Sequence, residues 1–134
     1  MKYYKLNPYS FPGLDVSVLD EREYPFAKNY KEYLHHDKIF NTIQREFELT
    51  REEIRSTSRK QERVFARTIL TFIFRRVLGL SYARVGMLIG KKDHATAMHN
   101  EKVFCNLYNT SRDYKERVDR IFDRLDLKVV SYLK

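Results

Sequence analysis

The run "RVFARTILTFIFRRVLGL", Arg63 to Leu80, limits the folds open to this chain more than any other segment. At helical spacing Val64, Phe65, Ala66, Ile69, Leu70, Phe72, Ile73, Val77 and Leu78 cover nearly its whole circumference. A helix that is apolar all round must be surrounded by other helices. The expected fold is therefore all-α, a bundle built around this element. One polar strip is left, carrying Arg63, Arg67, Thr71 and Arg75 four residues apart, and Gly79 supplies a C-terminal stop.

The flanking segments read as the surrounding helices. Ile39, Phe40, Ile43 and Phe47 form an apolar stripe. Thr50 with Glu53 three residues on is a capping box that starts a short helix ending near Ser56. Ser81 caps a second short helix, "YARVGMLI", with Val85, Leu88 and Ile89 turned inward and Gly90 at its end. Lys91 and Lys92 make a turn, and Asp93 caps a helix running from His94 to about Asn109, with Ala97, Met98, Phe104, Cys105 and Tyr108 as its packing face. Ser111 caps the last helix, where Tyr114, Val118, Ile121, Phe122 and Leu125 recur at helical spacing. The tail "VVSYLK" is expected to fray or to pack as a short extension.

Residues 1–36 differ in character. All three prolines, Pro8, Pro12 and Pro25, lie there, among many tyrosines. Met1 to Glu23 lack a sustained helical period and read as irregular or extended chain packed by its aromatics. Pro25 suits the first turn of a helix carrying Phe26, Tyr30, Tyr33 and Leu34. The division is thus an N-terminal extension, 1–36, and a helical domain, 37–134.

Charge narrows the function. The 134 residues carry 26 Lys+Arg against 18 Asp+Glu, a net charge of +8. Such a balance favours a polyanionic partner, nucleic acid or an anionic membrane face. No apolar run approaches the about 20 residues of a membrane span. The N-terminus has no long apolar core of the signal-peptide kind. Cys105 is the single cysteine, which excludes an internal disulfide and reads as a buried free thiol in a reducing cytoplasm.

The chemistry-bearing stretch is "GKKDHATAMHN", Gly90 to Asn100. A zinc site needs about four ligands of suitable spacing. His94 and His99, five apart, point about 140° away from each other on a helix, and the adjacent His35 and His36 cannot share a face. Asp93 and His94 are sequence neighbours, an arrangement that seldom makes an orienter and base. Neither a nucleophile elbow nor a G-x-x-x-x-G-K-[ST] phosphate loop accompanies them. No metal, cofactor or catalytic residue is expected. Short helix, tight turn and longer helix instead make a helix-turn-helix, whose second helix meets base edges with its N-terminal residues. Asp93 as a plain cap beside two solvated lysines is the simpler alternative.

The segment "IRSTSRKQERVFARTILTFIFRRVLGLSYARVGMLIGKKDHATAMH" decides between them. Its "SRK" before a long helix, "GLS" opening a short one, G-x-x-I-G and "DH" followed by small residues resemble the C-terminal DNA-binding domain of the bacterial replication initiator DnaA. The likeness spans about Ile39 to Leu125. It implies a Trp-repressor-like helix-turn-helix of five or six helices that binds a short asymmetric duplex box as a monomer. It also implies roles: Lys92, Asp93, His94, Ala95 and Thr96 in the major groove, Arg59 in the minor groove, and Arg67 and Arg75 on the DNA backbone. Lys91 joins the major-groove group from its place in the turn, and Lys60, Arg63 and Ser81 join the backbone group. The chain departs from the family at Ala95, where a threonine is usual, and at Tyr82 and Ala83, where leucine and proline are usual. These departures bear on the target sequence.

The expectation is sequence-specific binding of double-stranded DNA by a stand-alone, cytoplasmic, DnaA-like domain without an ATPase. It would serve as a replication accessory or a transcription regulator, from a chromosome, a phage or a mobile element. A second reading is a protein-interaction module, with the helical domain as scaffold and Tyr3, Tyr4, Tyr9 and Phe11 as a docking surface for a protein partner. A third is single-stranded or RNA binding through the same aromatics. The basic residues cluster in the helix-turn-helix half rather than among the tyrosines, which favours duplex DNA.

Overall fold

A computed structural model describes the backbone of residues 27–133 and the side chains of residues 36–133. Pro25, Phe26 and the aromatics Tyr3, Tyr4, Tyr9 and Phe11 lie outside the described residues, as do the side chains of Tyr30, Tyr33 and Leu34. The described chain is helical without a strand. In order it forms α1 (Ala27–Phe47), α2 (Arg51–Ile54), α3 (Gln61–Phe72), a π-helical turn (Ile73–Val77), α4 (Tyr82–Leu88), α5 (His94–Thr110), α6 (Arg112–Arg124) and a 3-10 turn (Val129–Ser131). Contacts divide it into two units, Met1–Lys38 and Ile39–Lys134. In the first, the described part is the helical backbone of α1, which continues without interruption through residues 36 and 37.

The second unit is built around α3. Phe65, Ala66, Ile69, Leu70 and Phe72 are buried, followed by Ile73 and Phe74. Phe72 stacks on Phe104 of α5 with ring centroids 3.9 Å apart, and Phe65 meets Tyr114 of α6 edge-on at 5.0 Å. The Tyr114 hydroxyl has a partner in the buried Thr68 hydroxyl at 2.7 Å. Burial pushes the Tyr114 phenol well above its usual range. Ile39, Phe40, Ile43 and Phe47 of α1 and the stripe Tyr114, Val118, Ile121 and Phe122 of α6 complete the core. Glu46 and Arg120 join α1 to α6 by two hydrogen bonds of 3.0 and 3.1 Å.

The four sequence caps form. Thr50 and Glu53 exchange hydrogen bonds as a full capping box, and Ser81, Asp93 and Ser111 each accept from a backbone N–H of the first turn. Three details differ from expectation. The last turn of the central helix is π rather than α: Leu78 N–H reaches back five residues to Ile73 O at 3.1 Å. Met98 is 41% exposed and so is not part of the α5 packing face. Cys105 is half-buried rather than buried. Of the two outcomes expected for the C-terminal tail, packing is the one found, with Val129 in the core. The π turn follows from the chain reversal behind it, where Gly79 adopts a φ of 70° and Leu80 N–H bonds to Phe74 O at 3.1 Å. These bonds satisfy carbonyls that a plain helix end would leave open.

Candidate nucleic-acid interface

The polar strip of α3 is a strip of hydrogen-bonding side chains directed into the protein. Thr71 is buried, donates to Arg67 O at 2.8 Å and accepts from Asn100 of α5 at 3.5 Å. Arg67 is 8% exposed and donates to the carbonyls of Ile54, Ser56 and Ser58. Arg63 pairs with Glu53 at 2.6 Å. Arg75 donates to Leu80 O at 3.0 Å and lies 4.1 Å over the ring of Tyr82. Each of these arginines thus has a protein partner before any ligand arrives.

Two loops beside the strip carry exposed cations. Arg59 and Lys60 are exposed just before α3, and Lys91 is exposed and Lys92 half-buried just before α5. The side chains of these four make no hydrogen bond or ion pair among the described residues. Arg59 and Lys92 line the same open groove, about 610 Å³, together with Thr57, Arg67, Thr96, His99 and Asn100. Folding therefore unites two segments that are more than a helix apart in sequence.

The turn between α4 and α5 is tight. Lys91 N–H donates to Met87 O at 3.2 Å and Lys92 N–H to Gly86 O at 2.8 Å. Gly90 has a φ of 128° and Lys91 a φ of 59°. The second value is unusual for a residue with a side chain. A Cβ on Gly90 would overlap the carbonyl of Arg55. Arg55 in turn donates to Leu88 O at 3.1 Å and to Met87 O at 3.2 Å, closing the C-terminal carbonyls of α4. Asp93 then starts α5, accepting from Thr96 N–H at 2.8 Å. That backbone hydrogen bond from Thr96 holds the Asp93 carboxyl below the usual carboxylate range. His94 and Ala95 are exposed, Thr96 is half-buried, and Ala97 faces the core.

A buried carboxylate fixes α4 and α5 to each other. Glu101, 8% exposed, accepts from the Tyr82 hydroxyl at 2.7 Å and from Arg76 Nε at 2.6 Å. Burial works to raise its pKa, but the bonds from Tyr82 and Arg76 outweigh burial and leave it lowered. Arg76 also donates to Tyr132 O at 2.8 Å, tying in the C-terminal tail. Sequence reading did not single out Arg55, Arg76 or Glu101. No local signal marks Arg55 or Arg76, while Glu101 stands at the buried i+4 position from Ala97, where an isolated acid signals a partner. Among the described residues no three His, Cys, Asp or Glu side chains gather as a metal-ligand set, and no helix is long and apolar enough to cross a membrane.

A short capped helix, a locked turn and a longer helix with an exposed N-terminal end define a helix-turn-helix protein. Residues 36–103 match the family described as the bacterial DnaA protein helix-turn-helix. The chain belongs to that family. It is 36% identical over 102 residues to the chromosomal replication initiator protein DnaA of Flavobacterium psychrophilum, covering 76% of this chain and 21% of that one. It is 30% identical over 92 residues to the DnaA of Bacteroides thetaiotaomicron, covering 69% and 20%. For the DnaA of a Nostoc species the identity is 28% over 91 residues, covering 68% and 20%. The chain thus spans about a fifth of the length of these curated relatives. Family membership supports DNA binding by this chain.

Proposed function

We propose that this chain binds double-stranded DNA sequence-specifically, as a monomer, and serves as a replication accessory or a transcription regulator without ATPase activity of its own. Lys91, Lys92, Asp93, His94, Ala95 and Thr96 occupy the major groove. Arg59 enters the adjacent minor groove, and Lys60, Arg63, Arg67, Arg75 and Ser81 contact the backbone. The observation that carries this reading is the groove lined by Arg59, Lys92 and Thr96, where two cations whose side chains have no partner among the described residues meet, each next in the chain to another, Lys60 and Lys91. Phosphates favour such a place, where a helix N-terminus and cations coincide. Arg63 and Arg75 exchange a protein partner for a phosphate or share themselves between the two. A guanidinium has donors enough for both.

The test is a titration of purified protein against duplexes from a random pool, repeated across salt concentrations. Neutralising about five phosphates gives a log–log slope of roughly −4 to −5, and the selected duplexes share a short asymmetric motif. No binding to any duplex at low salt overturns the proposal, and binding without a shared motif removes its sequence specificity.

A further inference from the structure

Arg67 is a largely buried cation at the wall of the groove that Arg59 and Lys92 also line. Its guanidinium donates to Ile54 O at 3.0 Å, to Ser56 O at 2.7 Å and to Ser58 O. Burial, with Arg63 nearby as a smaller cause, pulls its pKa below the ordinary arginine value. These acceptors fall on alternate residues of one segment, the segment that leads from α2 to Arg59. Serine hydroxyls stiffen the same segment. Ser56 Oγ donates to Glu53 O at 2.6 Å and accepts from Ser58 N–H at 3.3 Å, and Ser58 Oγ accepts from Lys60 N–H at 3.3 Å. The carbonyls of the loop are thus held inward while the side chains of Arg59 and Lys60 stand exposed.

We propose that Arg67 is a positioning residue for the Arg59 loop. It clamps the carbonyls of Ile54, Ser56 and Ser58 so that Arg59 is presented in one conformation. This rests on the duplex-binding reading above. A loop ordered in advance lowers the entropy lost on binding and holds Arg59 to one base pair. Only arginine suits the role: a planar fork of five donors spans separate carbonyls, whereas the ammonium of a lysine is a single point. A lysine at the same position keeps the charge but loses the clamp, so Arg67→Lys separates positioning from simple charge.

The experiment compares Arg67→Lys, Arg59→Ala and the double variant, each shown to be folded by thermal melting, on duplexes varied singly at every position. In the wild type the preference at the pair facing Arg59 is expected to be about tenfold or more. It falls to about twofold in Arg67→Lys and in Arg59→Ala alike, and preferences facing His94 and Thr96 stay unchanged. The double variant loses no more than about twofold in affinity beyond Arg59→Ala alone, the mark of two residues acting through one contact. A retained preference in Arg67→Lys, a uniform loss across all positions, or fully additive losses overturn the proposal while leaving duplex binding intact. A wild-type chain that binds no duplex fails the earlier reading instead. Should Arg67→Lys not fold, NMR of the wild type decides. The guanidinium protons of Arg67 are expected as signals protected from solvent exchange in the free protein, and those of Arg59 as unprotected ones. Unprotected Arg67 signals overturn the proposal.

Discussion

The loop from Arg55 to Lys60 and the turn from Ile89 to Asp93 each carry two adjacent cations into the start of a long helix, and they are held by different means. The turn is secured locally. Asp93 caps α5, and Gly90 and Lys91 take the positive φ values that reverse the chain within two residues. The loop has no such device. Lys60, at the N-cap position of α3, makes no side-chain cap bond, and every φ in the loop is ordinary. Its geometry comes from serine hydroxyls and from Arg67, which reaches back from the helix that the loop precedes. A turn secured by backbone conformation is sensitive to substitution at the backbone position. A loop secured by side chains is sensitive at the distant arginine and at its own serines rather than at a backbone conformation.

That contrast breaks most severely at Gly90. In Gly90→Ala the new Cβ meets the Arg55 carbonyl, and the φ of 128° lies outside the range that alanine adopts. Backbone strain and overlap together are expected to destabilise the fold by about 3 kcal/mol or more. Chemical denaturation measures this; a loss below about 1 kcal/mol would mean that the turn has another conformation open to it.

Lys91→Gly sharpens the contrast, because stability and binding move in opposite directions. Lys91 holds a φ of 59°, and glycine adopts that conformation without the steric cost borne by an L side chain. The fold is expected to gain about 0.5–1 kcal/mol. Duplex affinity falls, and the salt slope loses about 0.9 in magnitude, one phosphate's worth. An unchanged slope would show that Lys91 only solvates the turn.

The smallest effect is at Ala95, exposed one position after His94. Alanine offers a methyl to a thymine methyl but no donor or acceptor. Ala95→Thr adds a hydroxyl, and one hydrogen bond of about 1 kcal/mol gives about a fivefold gain in preference at a single pair. Stability and salt slope stay as they are. Competition among singly varied duplexes checks it, and a change spread over distant pairs would contradict the placement of this helix end.

The helices and their ends were legible in the residues, because the signals for both are local. The apolar repeat over Val64 to Leu78 required a surrounded helix, and Thr50, Ser81, Asp93 and Ser111 cap helices through bonds to N–H groups two or three residues away. The exposed end of α5 followed from the same cap. The destinations of the arginines were not legible. Arg67 meets carbonyls 9 to 13 residues back, and Arg55 meets carbonyls 32 and 33 residues ahead. Every residue carries such a carbonyl, so nothing in the side-chain pattern distinguishes those acceptors from others. The strip Arg63, Arg67, Thr71 and Arg75 looks the same in sequence whether it faces water or protein. The packing of α2 and α5 against α3 buries its middle, and Arg67 turns to the loop because a buried guanidinium must find acceptors and the carbonyls left open by the loop are the ones within reach.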